Sequence, residues 1–170
     1  MEIEVRELEE QDIVETIRVM KEAWNYSYET WEKDYYPIQA HEFDLSQNTP
    51  ENYRKYIGDR TTFCFIAKVN GIIAGKISGQ IIGNSGFGMI RSIAVHPDFH
   101  RKGVGRKLMD HALKHFVERG CHKVSLNTLP VLIPAINLYL KTGFVPEAYL
   151  AKQWWGVDFI LMCKWLKPRE

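Results

Sequence analysis

The 170-residue sequence lacks the marks of a membrane-spanning or secreted protein. It contains no run of about eighteen apolar residues, the least that a transmembrane helix needs. Its beginning, Met1 to Arg6, is acidic, whereas a signal peptide begins basic and continues apolar. The cysteines Cys64, Cys121 and Cys163 are odd in number and show no Cys-x-x-Cys spacing, which predicts reduced, buried thiols. We therefore expect a cytoplasmic protein without a membrane partner.

The sequence also lacks a Pro-, Ser- or Gly-rich linker, an internal repeat and any low-complexity segment. Its length favours a single domain over residues 1–170, and its 45% apolar and 25% charged residues are ordinary for a globular protein. The net charge is only +1, but it is unevenly distributed: residues 1–60 carry −8 and residues 61–170 carry +9. The first part of the chain should attract cations and the second part anions.

Apolar periodicity predicts strands and helices along the whole chain. The dipeptide Asn70-Gly71 between two β-rich runs indicates a hairpin, and Gly120 marks the end of the best-defined helix. Residues 25–49 are aromatic and acidic and predict short helices or loops. The predicted strands are Ile3 to Arg6, Phe63 to Val69, Ile72 to Ile82, Met89 to Val95, Lys123 to Thr128 and a final pair around Trp155-Gly156 that ends in Phe159 to Trp165. The predicted helices are Ile13 to Trp24, Val104 to Phe116 and Pro134 to Lys141.

A basic glycine turn, His100-Arg-Lys-Gly-Val-Gly105, lies between a predicted strand and a predicted helix. The first N–H groups of a helix have no partner inside it, so they point outward and favour an anion. Glycine has no Cβ, which lets the backbone approach a pyrophosphate closely. Residues 96–123 carry 7 Lys or Arg against 3 Asp or Glu. We therefore expect this turn to bind a phosphorylated ligand; the alternative is a solvated basic turn.

The known nucleotide motifs do not fit this sequence. A Rossmann fingerprint needs a third glycine where this chain has Leu108, and a P-loop needs Gly-Lys-Ser/Thr after four residues. The segment Gly83 to Gly88 has the outer spacing of a P-loop, but Met89 and Ile90 follow it. Neither a dinucleotide site nor a P-loop is predicted.

Two motifs in order, with Gly105 ending the first and Ala135 beginning the second, point to one family. The first is Ile93-Ala-Val-His-Pro-x-x-His-Arg-Lys-Gly-Val-Gly105, and the second is Ala135-Ile-x-Leu-Tyr-x-x-x-Gly-Phe144. Together they resemble the GNAT superfamily of N-acetyltransferases. The resemblance implies the α+β GNAT fold. Its central sheet is mixed, mostly antiparallel and of about six to seven strands, is flanked by about four helices, and splays at the strand before the pyrophosphate loop.

The resemblance also implies acetyl-CoA as co-substrate and no metal. In this family the strand before the loop pairs its free backbone groups with the pantetheine amides, and the loop N–H groups contact the pyrophosphate. The sequence departs from the family pattern at His100, where Gln or Arg is usual, and at Leu132, where Asn commonly contacts the coenzyme. The implied coenzyme-binding residues are Ile93, Ala94, Val95, Arg101, Lys102, Gly103, Val104, Gly105 and Arg106.

The implied reaction is direct attack of a primary amine on acetyl-CoA, with Tyr139 as general acid near the coenzyme sulfur. A packed helix tyrosine is the alternative for Tyr139. An alkyl amine with a pKa of about 10.4 is almost fully protonated at pH 7, so a base or a water chain must deprotonate it. Some family members use a Glu on the strand before the loop, but Met89 to Val95 contains no carboxylate. Glu29, Glu32, Asp158 and ordered water stay open as alternatives.

The amine acceptor is less specified than the donor. Because the first helices and the last hairpin shape the acceptor site in this family, the negative charge of residues 1–60 favours a cationic acceptor. A polyamine, a lysine side chain and a protein N-terminus all fit, and so does a purely solvating acidic face. A homodimer stays open. The rival interpretation is a non-catalytic acyl-CoA-binding or regulatory module; no nucleic-acid-binding motif is present.

Two other side-chain groups have both a functional and an ordinary interpretation. His111 and His115 lie one helical turn apart and could bind zinc, but no third ligand accompanies them, so we expect surface histidines and no metal. The aromatic residues of Tyr26 to Tyr36, together with Trp154 and Trp155, either wall an acceptor pocket or belong to the core.

Overall fold

The computed structural model describes residues 1–167 and contains a seven-stranded mixed sheet. Its strands are β1 (Ile3–Glu7), β2 (Thr62–Val69), β3 (Ile72–Ile82), β4 (Phe87–Val95), β5 (Lys123–Thr128), β6 (Val145–Trp154) and β7 (Val157–Trp165), and their order in the sheet is β1-β2-β3-β4-β5-β7-β6. Five α-helices flank the sheet: α1 (Ile13–Ser27), α2 (Ile38–Ser46), α3 (Pro50–Arg54), α4 (Val104–Glu118) and α5 (Ile133–Lys141). None of the helices in this range is long and apolar enough to cross a membrane.

Left-handed turn residues close the hairpins β2–β3 and β6–β7. Asn70 and Gly71 have φ of 49° and 83° between β2 and β3, and Trp155 and Gly156 have φ of 55° and 71° between β6 and β7. Two consecutive residues with positive φ are characteristic of the tight turns that match the twist of antiparallel strands. These turns therefore set the pairing of the strands on either side of them.

Helices cover both faces of the sheet. The apolar stripe of α4 packs on one face, where Phe65 and Ile77 are buried beneath it. On the other face α1 packs against β3 and β4, and its Met20 is fully buried. A Cβ on Gly88 would lie 2.4 Å from the Phe116 ring, so α4 rests directly on the β4 backbone. Burial of each large apolar side chain contributes about 1.5–3 kcal/mol to the free energy of folding. This burial holds α4 against the sheet.

Strands β4 and β5 separate after a short parallel contact. Only Phe87, Gly88 and Met89 of β4 pair with β5, where their partners run from Lys123 to Ser125. Beyond Met89 no β5 residue of the described chain pairs with β4. The gap that opens there is called the β4–β5 split below.

A bulge lies at the beginning of the split. Ser78 pairs with Ser92 and Gly79 pairs with Ile90, so Arg91 is an extra residue on β4. A bulge bends its strand and increases its twist. The bulge at Arg91 therefore helps to turn the end of β4 away from β5.

The predicted fold class and the order of strands and helices are confirmed. The sheet has seven strands and is mixed, mostly antiparallel and splayed at the strand before the basic loop. The structure adds α3, a short helix that the sequence analysis did not predict, so five helices flank the sheet where about four were expected.

Candidate active site

The basic loop leads into the N-terminus of α4 with its backbone exposed. Gly103 has φ of +83° and precedes the first residue of the helix, where no side chain caps the helix N–H groups. A Cβ at Gly103 would meet nothing within 4 Å, so the space beside the loop is open. Arg101 also has a positive φ, of 60°. The loop therefore presents unpaired N–H groups to an open surface, which is a suitable geometry for a pyrophosphate.

The basic side chains around this loop differ in whether they already have a hydrogen-bond or ion-pair partner. The ammonium of Lys102 donates to the Asp98 carbonyl at 2.8 Å, and Arg106 pairs with Asp110 at 3.0 Å. The Arg101 side chain is exposed and forms no ion pair with any residue of the described chain. Arg101 is thus the loop cation that is most available to an incoming phosphate.

The three residues predicted to contact the pantetheine lie in the last part of β4. Ile93 and Val95 pack toward the α4 core, whereas Ala94 packs toward α1. All three lie in the part of β4 that β5 does not pair. An extended ligand in the split could therefore add to β4 as a further strand would.

His100, the position that departs from the family pattern, is bound to the end of this strand. Its Nε2 atom lies 2.7 Å from the Val95 carbonyl oxygen, and its ring packs edge-on against Tyr26 of α1. His96, four residues earlier, is 2.7 Å from the Glu22 carboxylate, also on α1. The two histidines therefore connect the loop to the first helix.

The second motif lies against the loop through helix α5. A Cβ on Gly105 would be 3.3 Å from Cδ2 of Leu138, so α5 touches the first turn of α4 at a residue without a side chain. Tyr139, the next residue, is 93% buried, since only 7% of its surface is exposed. Burial raises its pKa above the ordinary 10.0, which keeps the phenol protonated at neutral pH. Leu132, at the start of α5, packs in an apolar cluster with Tyr28.

The three carboxylates considered as bases lie in different environments. Glu29 is exposed and 3.7 Å from Lys33. Asp158 accepts hydrogen bonds from the Tyr149 hydroxyl and the Lys152 N–H, which lower its pKa. Burial raises the pKa of Glu32, whose carboxylate accepts a hydrogen bond from Ser27 at 2.7 Å. Glu32 alone among the three combines burial with a raised pKa.

Part of the aromatic cluster joins the first helices to the last hairpin. The Tyr35 hydroxyl donates to the Asp158 carbonyl at 2.9 Å, and the Phe43 ring lies 5.6 Å from the Trp155 ring. Tyr28 and Tyr36 are buried, whereas Trp155 is 47% exposed. The cluster thus has a buried part, which belongs to the core, and an exposed part, for which the acceptor-pocket interpretation stays a prediction.

A half-open cavity lies on the α1 face of the sheet, and the sequence analysis did not predict it. Its volume is about 140 Å³, and residues of α1, α3, β3, β4 and the segment after α2 line it. Lys76, on its wall, is only 4% exposed, and burial lowers the pKa of this ammonium. Arg91, the bulge residue, and Ser92 also line the cavity. A lysine within the apolar run Ile72–Ile82 is the sequence signal that could have indicated it.

Another unpredicted group lies on β5. The buried Oδ1 atom of Asn127 has no hydrogen-bond partner within residues 1–167. Asn127 lies two residues beyond Ser125, the last β5 residue that pairs with β4, so it is in the part of β5 that borders the split. A buried carbonyl oxygen without a partner costs free energy, and a donor on a ligand would supply the missing hydrogen bond.

The two helical histidines are partly buried, contrary to the expected surface position. The His111 ring packs edge-on at 4.5 Å from Phe65, and the His115 ring at 4.9 Å from Phe63. Burial lowers the pKa of both imidazoles. Across residues 1–167 there is no group of three His, Cys, Asp or Glu side chains arranged to hold a metal ion.

Comparison with known sequences identifies one family for most of the chain. The model of the acetyltransferase (GNAT) family matches residues 17–144. N-alpha-acetyltransferase 30 of Xenopus laevis is 31% identical over 119 residues, which are 68% of this chain and 44% of that protein. Its human counterpart is 30% identical over 119 residues, 68% of this chain and 33% of that protein. The chain thus spans less than half the length of the curated relatives it matches.

Solved structures share the fold over almost the whole chain. PaiA N-acetyltransferase from Thermoplasma acidophilum, in complex with coenzyme A, has a TM-score of 0.81 and 22% identity, with 97% of this chain and 99% of that chain covered. Ard1 from Thermoplasma volcanium has a TM-score of 0.68 and 25% identity, with 99% and 100% covered.

Proposed function

The chain belongs to the acetyltransferase (GNAT) family, and we propose that it transfers an acetyl group from acetyl-CoA to a primary amine by direct attack. One spatial relation supports this function above all others. In the first turn of α4, a Cβ on Gly105 would lie 3.8 Å from Val95 of the split and 3.3 Å from Leu138 of α5. Tyr139 is the next residue of α5, so the uncapped N-terminus of α4 adjoins both the split and the helix that carries Tyr139. We also propose that the domain spans residues 1–170 and acts in the cytoplasm, which the three free, buried cysteines support.

The proposed coenzyme site follows from this arrangement. The pyrophosphate lies on the N–H groups of residues 101–106, and the free side chain of Arg101 adds a positive charge. The pantetheine pairs with Ile93 to Val95 in the split, where β4 has no strand partner. Bound acetyl-CoA supplies the activated acetyl group as a thioester.

Tyr139 is the proposed general acid. A departing coenzyme thiolate needs a proton, and a phenol whose pKa is raised by burial carries that proton throughout the neutral range. The Tyr139 hydroxyl forms no hydrogen bond with any other described residue, so it is available to the sulfur.

Glu32 is the proposed base that removes a proton from the amine, directly or through water. Burial raises its pKa, which makes it a stronger base than an ordinary glutamate. The acceptor enters as an ammonium, so the net charge of −8 on residues 1–60 favours its approach. A polyamine, a lysine side chain and a protein N-terminus are the candidate acceptors.

The rival function is a non-catalytic module that binds acyl-CoA. Calorimetric titration with acetyl-CoA, followed by CoA release over a panel of primary amines, separates the two. We expect wild-type protein to bind acetyl-CoA and to release CoA with at least one amine, and Tyr139→Phe to bind equally but turn over slowly. Binding without turnover on any amine would favour the module, and failure to bind acetyl-CoA would exclude both functions.

A further inference from the structure

The cavity behind β4 contains a buried lysine without an anionic partner among the residues that line it. Lys76 is 4% exposed, and its ammonium donates to the Ser78 hydroxyl at 3.3 Å and lies 5.5 Å from the centroid of the Tyr53 ring. No Asp or Glu of the described chain lines this cavity. An isolated buried charge is costly, so lysines in such positions are usually paired or neutral.

A second basic side chain lines the same cavity. Arg91 lines it from the β4 bulge, is exposed, and forms no ion pair within residues 1–167. Its planar guanidinium can bind a carboxylate through two parallel hydrogen bonds. The Ser92 hydroxyl lines the cavity as well, whereas the amides of Asn48 and Asn52 already donate to backbone carbonyls. Two basic side chains and a hydroxyl around about 140 Å³ are suited to a small anionic group.

The position of the cavity relates this anionic group to the acceptor. Arg91 and Ser92 lie two and three residues beyond Met89, the last β4 residue that pairs with β5. Lys76 pairs in register with Ala94, a residue of the proposed pantetheine-binding segment. The cavity is on the α1 face, whereas α4 and its coenzyme loop begin from the opposite face.

We propose that the cavity formed by Lys76 and Arg91 binds a carboxylate of the acceptor, so that the acceptor carries both a primary amine and a carboxylate. This inference rests on the proposed function. An amino acid, or a peptide whose N-terminal region carries an acidic group, has this chemistry. A polyamine does not, because it would bring a second ammonium to the two cations. The orphan carbonyl of Asn127, on the part of β5 that borders the split, would accept a hydrogen bond from the amine end.

The test compares amines that differ only in the distal group. Glycine, β-alanine, 4-aminobutanoate and 5-aminopentanoate are each assayed against their primary amides, with 1,4-diaminobutane as the dication. For at least one chain length, we expect wild-type protein to prefer the acid over the amide by about tenfold or more in kcat/KM, with diaminobutane the poorest substrate.

Variants then assign this preference to the cavity. Arg91→Gln and Lys76→Met should each remove the acid preference through a raised KM for the acid, while Arg91→Lys should retain part of it. Lys114→Met, an exposed position on α4, is the matched control and should retain the full preference. If Lys76→Met instead lowers kcat equally for acids and amides, Lys76 acts in the chemistry and the proposal is overturned.

A ligand without an amine separates this inference from the proposed function. Butanoate should bind wild-type protein and not Arg91→Gln, as measured by ligand-observed NMR. If the protein acetylates amines but shows neither a preference for the acids nor binding of butanoate, the inference is overturned and the proposed function stays intact. Butanoate binding without acetylation of any amine would refute the proposed function, and with it the acceptor role of the cavity.

Discussion

Burial of individual ionisable side chains sets their protonation at neutral pH. Tyr139 and Glu32 both have raised pKa values because they lose solvent, but the consequences differ. The phenol keeps its proton at neutral pH, whereas the carboxylate, once ionised, binds a proton more strongly than an ordinary glutamate does. One group is thus suited to give a proton and the other to take one.

Removal of the Tyr139 hydroxyl tests the first of these roles. Tyr139→Phe should lower kcat about 10²- to 10⁴-fold, the usual contribution of a general acid, and leave the Kd of acetyl-CoA nearly unchanged. Tyr28→Phe, at another buried tyrosine, is the control and should retain activity. Steady-state kinetics measures the change in kcat, and calorimetry measures the Kd of acetyl-CoA. Equal kcat for wild type and Tyr139→Phe would exclude Tyr139 as the general acid.

The pH profile tests Glu32. Because a base acts in its ionised form, kcat should fall as pH decreases through the Glu32 pKa, which lies above the ordinary 4.5. Glu32→Gln should lose most of the activity and this acidic limb, whereas the exposed Glu29→Gln should keep both. A profile of Glu32→Gln that matches wild type would assign deprotonation to water.

The same pKa has a consequence for stability. A carboxyl whose pKa is higher in the folded than in the unfolded state contributes stability below its unfolded pKa and loses it as pH rises through the folded pKa. Glu32→Gln, which resembles the protonated acid, should therefore raise the free energy of unfolding at pH 7. Urea unfolding of wild type and variant at pH 4 and pH 7 measures this, and the variant's advantage should be present only at pH 7.

At the scale of elements, the two ends of α4 have similar backbone geometry but different surroundings. Gly103 at the beginning has φ of +83° and Gly120 after the end has φ of +78°, and a Cβ at either would meet nothing within 4 Å. An L-residue in this conformation costs about 1–2 kcal/mol. Only Gly103, however, lies beside the proposed pyrophosphate.

The similar backbone conformations of the two glycines allow a controlled test of phosphate binding at the loop. Gly103→Ala and Gly120→Ala should each lower the free energy of unfolding by about 1 kcal/mol, since the backbone strain is alike. Only Gly103→Ala should also raise the KM for acetyl-CoA, because its methyl group would stand where the backbone approaches the phosphates. Chemical denaturation and coenzyme kinetics on both variants measure the two effects. An unchanged KM for acetyl-CoA in Gly103→Ala would show that the pyrophosphate does not bind at this loop.

Strong local signals account for what the sequence predicted. Asn70-Gly71 required a hairpin, and the α4 stripe ending at Gly120 required a helix of that length, so local geometry was sufficient. Helix α3 is too short for a periodic signal, and the partial burial of His111 and His115 depends on where β2 lies. The Lys76 cavity combines residues from four elements, and single-sequence patterns contain no such information.

Over the whole molecule, the positive charge of residues 61–170 favours the polyanionic coenzyme. Its contribution should be screened by salt, since the Debye length falls from about 10 Å at 0.1 M to about 3 Å at 1 M ionic strength. The KM for acetyl-CoA should therefore rise with added NaCl, and less so in Arg101→Gln. A salt-independent KM would mean that backbone N–H groups alone hold the phosphates.

In the proposed function one site, formed by the loop, the split and Tyr139, holds acetyl-CoA for transfer. A crystal structure of the protein soaked with acetyl-CoA tests this site. We expect pyrophosphate density on residues 101–106, pantetheine along Ile93 to Val95 and the thioester sulfur within hydrogen-bonding reach of the Tyr139 hydroxyl. Coenzyme bound elsewhere, or a sulfur remote from Tyr139, would contradict it.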